Sequence, residues 1–179
     1  MALYGMPVFI LEIKKEPMMK ALALDLGMIY GYAVYIVDNL KWGYNDVTPT
    51  RFASQQTSAV LFRRHLLDLN EEIGGIEAIF FEEVHGSKGQ YAIQINGMFI
   101  GVMLSVAEEI NCKIIKGFQV GEIKRFATNS AIAGKDEMIA AAVKRWGVDL
   151  DKTVKKDANI ADALFILALG LKTLYGIRI

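Results

Sequence analysis

The sequence predicts an α/β domain: a mixed sheet of about five strands, three antiparallel and then parallel, flanked by helices. Three observations carry that reading. Over residues 19–44, short apolar runs follow one another with connections that only antiparallel neighbours can use. Beyond residue 54, helical periodicity alternates with short apolar runs, the order that builds parallel strands through helical crossovers. The 179 residues, 53% of them apolar, suffice for one domain with a sizeable core.

Residues 1–18 read as an N-terminal extension, flexible or an added strand, and residues 19–179 as the domain proper. Residues 19–26 form a short apolar run ended by Gly27, the pattern of a buried strand. Residues 30–37 are aromatic and β-branched and make the second strand, with Asp38-Asn39 turning the chain into a third around residues 41–44. From Ser54 to Ile73 the pattern is helical and Gly74-Gly75 stops it. Residues 77–82 give a fourth strand, 91–110 a long apolar helix containing Gly97 and Gly101, and 113–115 a short fifth strand. One helix starts near Lys135 and stops at Gly147; the last runs from about Asn159 to Leu174. Gly97 and Gly101 lie one turn apart, a smooth patch suited to the domain's own sheet, to a second subunit, or to both.

Formal net charge is zero, so the whole molecule offers no electrostatic argument for a polyanionic partner. The distribution does. Ten of the 20 basic residues lie between Lys113 and Lys156 against five acids, which makes that segment about +5 and the remainder about −5. A single cysteine, Cys112, excludes an internal disulfide and a cysteine zinc cage. Two histidines, His65 and His85, argue against a histidine-rich metal site. The run Val8-Phe9-Ile10-Leu11 is too short to span a bilayer and its lysines follow it, so the expectation is a cytoplasmic protein without a membrane partner.

Three carboxylates stand at the ends of apolar segments: Asp25 after Ala-Leu-Ala-Leu, Glu82 after Ala-Ile-Phe-Phe, and Asp162 within Ala-Asn-Ile-Ala-Asp-Ala-Leu-Phe. Core elements carry these charges to wherever the elements converge. A buried carboxylate is costly unless compensated, and a bound cation is a usual remedy. Three acids around hard metal ions point to phosphodiester chemistry, in which carboxylates hold two magnesium ions about 4 Å apart. Gly27 is expected to allow the tight turn after Asp25. Glu82 and Glu83 must face opposite sides of the sheet, so only one joins Asp25; Glu82 is preferred and Glu83 is the alternative. Asn159, three residues before Asp162 on one helical face, either caps the helix or ligates a metal-bound water. Asp157 is off that face.

In chain order, four segments make the sequence resemble the RuvC-like Holliday-junction resolvases of the RNase H-like superfamily, particularly the small bacteriophage type. They are Ala-Leu-Asp-Leu-Gly-x-x-x-Gly-Tyr (23–32), Phe-Phe-Glu-Glu-Val-His (80–85), Val-Gly-Glu-Ile-Lys-Arg-Phe-Ala-Thr (120–128) with Gly-Lys-Asp-Glu-Met (134–138), and Asn-Ile-Ala-Asp-Ala-Leu (159–164). The resemblance implies a two-metal crossover junction endodeoxyribonuclease with Asp25, Glu82 and Asp162 as ligands to two magnesium ions, manganese substituting. Asn159 stands where members commonly have a fourth acid, and Asp157 is the residue that would compensate. Lys124 and Lys135 match lysines that contact the junction backbone or position the scissile phosphate, with Arg125 beside the first. His85, Lys88, Gln90 and Tyr91 fall in the loop that approaches the junction centre in relatives. The resemblance further implies a homodimer formed through the helix carrying Gly97 and Gly101, four-way or branched DNA as substrate, and, for a phage-encoded chain, the bacterial host cytoplasm.

Two other readings keep the fold: a branched-DNA-binding protein whose site is weakened at Asn159, and an RNase H-type nuclease acting on RNA–DNA hybrids. An actin-like or sugar-kinase ATPase also begins with an Asp-x-Gly hairpin, but it needs a second lobe that this chain is too short to supply, and no Walker-type loop is present.

Overall fold

The computed structural model describes residues 19–50, 54–83 and 89–179. The N-terminal extension, His85 and Lys88 lie outside them. Ten elements follow in order: β1 (Lys20–Asp25), β2 (Ile29–Ile36), β3 (Asn39–Asp46), α1 (Gln55–Ile73), β4 (Ala78–Glu83), α2 (Gln90–Glu109), β5 (Ile114–Gln119), α3 (Val120–Thr128), α4 (Lys135–Trp146) and α5 (Lys155–Tyr175). The strands form one sheet in the order β3-β2-β1-β4-β5. β2 runs antiparallel to its two neighbours β1 and β3, while β4 runs parallel to β1 and β5 parallel to β4. The mixed five-stranded α/β sheet is the one expected from the sequence.

Alternation along the strands divides the core into two layers. Ala21, Ala23, Ala78 and Phe80 pack with Leu164, Ile166 and Leu167 of α5 on one face. Leu22, Leu24, Ile79 and Phe81 pack with Phe62 and Leu66 of α1 and with Phe99 and Met103 of α2 on the other. In the second layer, Tyr30 meets Phe62 edge-on, shares a 2.5 Å hydrogen bond with His65 Nδ1, and accepts one from Asn45. Burial depresses the His65 pKa and raises that of Tyr30. His65 is thus absorbed by the core.

α2 and α5 are each long and apolar enough, by length and composition, to cross a membrane. For α5 the apolarity has a local cause: it lies across the sheet and most of it is buried.

Several boundaries differ from expectation. α5 begins at Lys155, with Val154 at the cap position, so Asn159 lies inside the helix and does not cap it. α3 was not anticipated; it follows β5 at once, and Glu122 Oε2 accepts the Gln119 backbone N–H at 3.0 Å to fix its start. β5 extends to Gln119, its polar residues being those of an edge strand. Gly27 lies in the short bend between β1 and β2 without a positive φ, and a Cβ added there would stand 3.3 Å from the Ile29 carbonyl oxygen, so crowding and not a left-handed backbone is what favours glycine. Gly97 and Gly101 are exposed, and a Cβ added at either would meet no atom within 4 Å. They therefore do not pack against the chain's own sheet.

The β2–β3 hairpin closes on Val37 and Asp38, both at positive φ (39° and 65°), with Ile36 opposite Asn39. Such a turn favours Asn or Gly at its first position, and a β-branched residue is strained there. Val37→Asn is expected to stabilise the protein by about 1 kcal/mol, raising Tm by about 2–4 °C in a thermal melt.

Candidate active site

The acids are positioned by sheet register. Leu24 pairs with Phe81 in the parallel β1–β4 ladder, so Asp25 and Glu82 occupy the next rung on adjacent strands. Asp25 alternates with Leu24 and therefore shares the face of Ala21 and Ala23; Glu82 likewise shares the face of Ala78 and Phe80. Both acids thus face α5. Glu82 is buried, 9% exposed, and Asp25 is half-buried. Glu83 points to the opposite face, where its side chain lies over Gly117 of β5 in space that any Cβ there would fill.

The rung continues sideways. Gly31 pairs with Asp25 on one side and with Tyr44 on the other, and Glu82 pairs with Phe118. At Gly31 the backbone of α5 sits directly on the sheet: an added Cβ would overlap the Asn159 carbonyl and stand 2.7 Å from Ile160 N. Asn159 Nδ2 donates to the Ile29 carbonyl at 2.7 Å, fastening the helix to the same strand. Three residues earlier, Lys156 Nζ lies 4.0 Å from the Tyr44 ring centroid and donates to the Tyr44 hydroxyl at 2.6 Å. Three residues of helix advance about 4.5 Å, close to the roughly 4.8 Å between strands. Lys156 meets β3 and Asn159 meets β2, so the next equal step carries Asp162 toward β1, the strand that ends in Asp25.

Asp157 does not join this line. Its Oδ2 accepts the Asp151 backbone N–H at 2.8 Å, tying down the loop before α5. Asn159, with its amide nitrogen committed to Ile29, acts first as a fastener.

The basic residues divide into groups. Lys155 and Lys156 line a cleft of about 230 Å³ with Thr48, Ile29 and Asn159, immediately beside the acid-bearing rung. These two lysines were not singled out from the sequence; the signal was their position three and four residues before Asn159. Lys124 lies half-buried on α3 and Lys135 is exposed at the first position of α4. Arg125 lines a different cleft with Glu122, Phe126 and Lys172. Lys172 is 13 residues beyond Asn159 on α5, about 20 Å along the helix, so Arg125 is set apart from the acids. Tyr91 is 60% exposed at the start of α2 and lines a cleft with Leu26 and Met28, the residues just after Asp25.

Three carboxylates and one amide, with no thiolate or imidazole, are donors suited to hard dications such as magnesium or manganese. Among the described residues, no three His, Cys, Asp or Glu side chains form a preformed metal cage. The donor chemistry still fits magnesium, which keeps several waters and needs few protein ligands.

No protein-family model matches the chain, and no curated protein matches it in sequence. Solved structures do match in shape. The RuvC structure from Thermus thermophilus aligns with a TM-score of 0.68 at 18% identity, covering 88% of this chain and 97% of that one. T. thermophilus RuvC in complex with a Holliday junction substrate aligns at 0.67 and 18%, covering 83% and 90%. The yeast mitochondrial Holliday junction resolvase aligns at 0.57 and 16%, covering 84% and 76%. The chain therefore has a RuvC-like fold.

The contact at Gly31 gives a direct test. Gly31→Ala is expected to cost about 3 kcal/mol or more, because the seat of α5 cannot yield without lifting Asn159. Urea denaturation measures it, and a loss below about 1 kcal/mol would mean that the helix is not held at this point.

Proposed function

We propose that this protein is a metal-dependent, structure-selective endonuclease that resolves four-way or other branched DNA. The observation that carries the reading is the rung itself. Two acids on adjacent strands face the helix that bears the third, and that helix is clamped against the sheet one strand away. The Thermus RuvC match, whose complex holds a Holliday junction substrate, supports branched DNA over other nuclease substrates.

Asp25, Glu82 and Asp162 would hold two magnesium ions, or manganese in their place, with Asn159 offering at most an amide oxygen. When bound, such ions supply an activated water and stabilise the leaving oxygen. Asp25, central on the rung, is placed to be shared between the two. Lys155 and Lys156 receive a backbone phosphate beside the acids, and Lys124 and Lys135 extend the basic surface along α3 and α4, positioning DNA without reading its sequence. Two symmetric nicks require two active sites, so the functional unit is a homodimer. The exposed face of α2, with Gly97 and Gly101 between Ile93 and Leu104, is its interface. The protein acts in the cytoplasm, that of a bacterial host if the chain is phage-encoded.

A second reading has a specific observation in its favour. Asn159 replaces a potential acid, and the described acids form no closed cage. A catalytically weakened junction-binding protein would bind four-way DNA tightly without magnesium and never turn it over. Offering RNA–DNA hybrids alongside junctions separates RNase H-type activity from both.

With a synthetic four-way junction and magnesium, Asp25→Asn is expected to lower cleavage by roughly two orders of magnitude or more while junction binding persists. Undiminished cleavage would remove Asp25 from the mechanism. In binding titrations across salt, Lys156→Ala is expected to reduce the slope of log K against log salt by about one, whereas Arg125→Ala leaves it unchanged.

A further inference from the structure

The short stretch of β2 that seats α5 is gripped from its other face as well. The Ile29 carbonyl accepts the Asn159 amide, and Gly31 meets the α5 backbone. Tyr30, between them, points the opposite way, into the layer formed with α1. Its side chain is fully buried, its ring is edge-on to Phe62, and its hydroxyl lies 2.5 Å from His65 Nδ1. His65 is half-buried and rests on both the Tyr30 and Tyr32 rings, at centroid distances of 5.7 and 5.0 Å. Through one imidazole, α1 therefore holds the residue that separates the two contacts fixing α5.

The hydrogen bonds have a direction. Asn45 Nδ2 of β3 approaches the Tyr30 hydroxyl at 3.3 Å and can only donate, so the hydroxyl oxygen accepts there. The hydroxyl proton is then free for His65 Nδ1, the bare nitrogen of a neutral ring whose own proton is on Nε2. A protonated ring carries hydrogens on both nitrogens and reverses that bond; the phenol proton then finds an acceptor only if Asn45 turns its amide over. Around His65 stand Tyr30 and Tyr32 from β2, Asn45 and Lys41 from β3, and Asp68 and Glu72 from its own helix. Burial outweighs the two acids, and Lys41 engages Glu72 at 2.7 Å, so the His65 pKa stays below its ordinary value.

We propose that His65 is a positioning residue for the acid-bearing rung: as a neutral imidazole it fixes Tyr30, and Tyr30 holds the 29–31 segment of β2 where it seats α5. Protonation of the ring frees Tyr30 from α1 and loosens that seat, which makes the site acid-sensitive. A neutral form favoured by the fold contributes stability that is complete above the unfolded imidazole's pKa of about 6.5 and is lost as the pH falls below it, through the folded value. The consequence for cleavage rests on the nuclease reading, whereas the coupling of His65 to Asn159 is measurable without DNA.

The test compares the full wild-type chain with His65→Asn, whose side-chain oxygen stands in for Nδ1 as an acceptor but does not titrate. Between about pH 7.5 and about pH 5.5, the wild-type Tm is expected to fall by about 2–4 °C more than that of His65→Asn. In proton–nitrogen correlation spectra, the Asn159 side-chain amide is expected to move with the same midpoint as the His65 ring in the wild type, and to hold its position in His65→Asn. With a four-way junction and magnesium, cleavage is expected to fall over the same range in the wild type and to fall less in His65→Asn. If His65→Asn fails to fold, Tyr30→Phe keeps the ring against Phe62 and removes only the hydroxyl; His65 should then titrate without moving the Asn159 amide. A pH dependence shared by the wild type and the variants overturns the proposal, as does a wild-type Asn159 amide that ignores the titration of His65. Coupling of that amide to His65, with no junction cut at any pH, keeps the positioning role in the fold and removes the nuclease reading. Junction cleavage without the coupling keeps the nuclease reading and removes the positioning role.

Discussion

Everything at the candidate site depends on how closely α5 lies on the sheet. Helices usually stand off from a sheet by the thickness of their side chains. Here the helix backbone touches β2 at Gly31, and farther along Gly170 of the helix lies on the Phe80 ring, where a Cβ would overlap it. One glycine sits in the strand and the other in the helix, and together they hold the helix down at both ends of its crossing. A glycine inside a strand or helix costs stability in its own element, so these two positions are explained by the close approach they permit.

That approach converts a one-dimensional pattern into a site. Near its start α5 passes from β3 at Lys156 to β2 at Asn159, a step of three residues whose rise nearly equals the strand spacing. Lys156, Asn159 and Asp162 follow this step from the edge strand inward. A cation falls at the sheet edge, an amide fastens the middle, and an acid is carried to the strand that ends in Asp25. Under the nuclease reading, phosphate-binding charge and metal-binding charge would thereby be separated by one strand, an arrangement no single loop provides.

Much of this was legible in the sequence, for physical reasons. An acid that ends a buried apolar run has to emerge where the strand ends, and strict alternation leaves only one of Glu82 and Glu83 beside Asp25. Other features were not. The Lys156–Tyr44 contact joins residues 112 apart, and neither the lysine nor the tyrosine has a local pattern that announces the other. Asn159 looks like a helix cap because Asn is a common one, yet the helix begins four residues earlier behind Val154, which has no capping signature. The strand glycine at 31 was visible only as part of a motif, since nothing local says that a helix backbone will rest upon it. Asn96 was hidden within an apolar helix, and nothing local says that its oxygen will be buried with no hydrogen-bond partner among the described residues.

Asn159 is where structural and chemical demands meet. Its side chain donates to the Ile29 carbonyl, a bond that an ionised carboxylate cannot make because it has no proton to give. An acid at this position would face that carbonyl oxygen with negative charge and weaken the fastening of α5 to β2, unless a cation lay between them. An amide holds the helix in place whether or not metal is present. Under the nuclease reading, the chain would trade one charged ligand for a seat that does not depend on metal, and Asp25, Glu82 and Asp162 would bind the cations. On this view the substitution makes the site's geometry independent of its occupancy, at the cost of affinity for one ion.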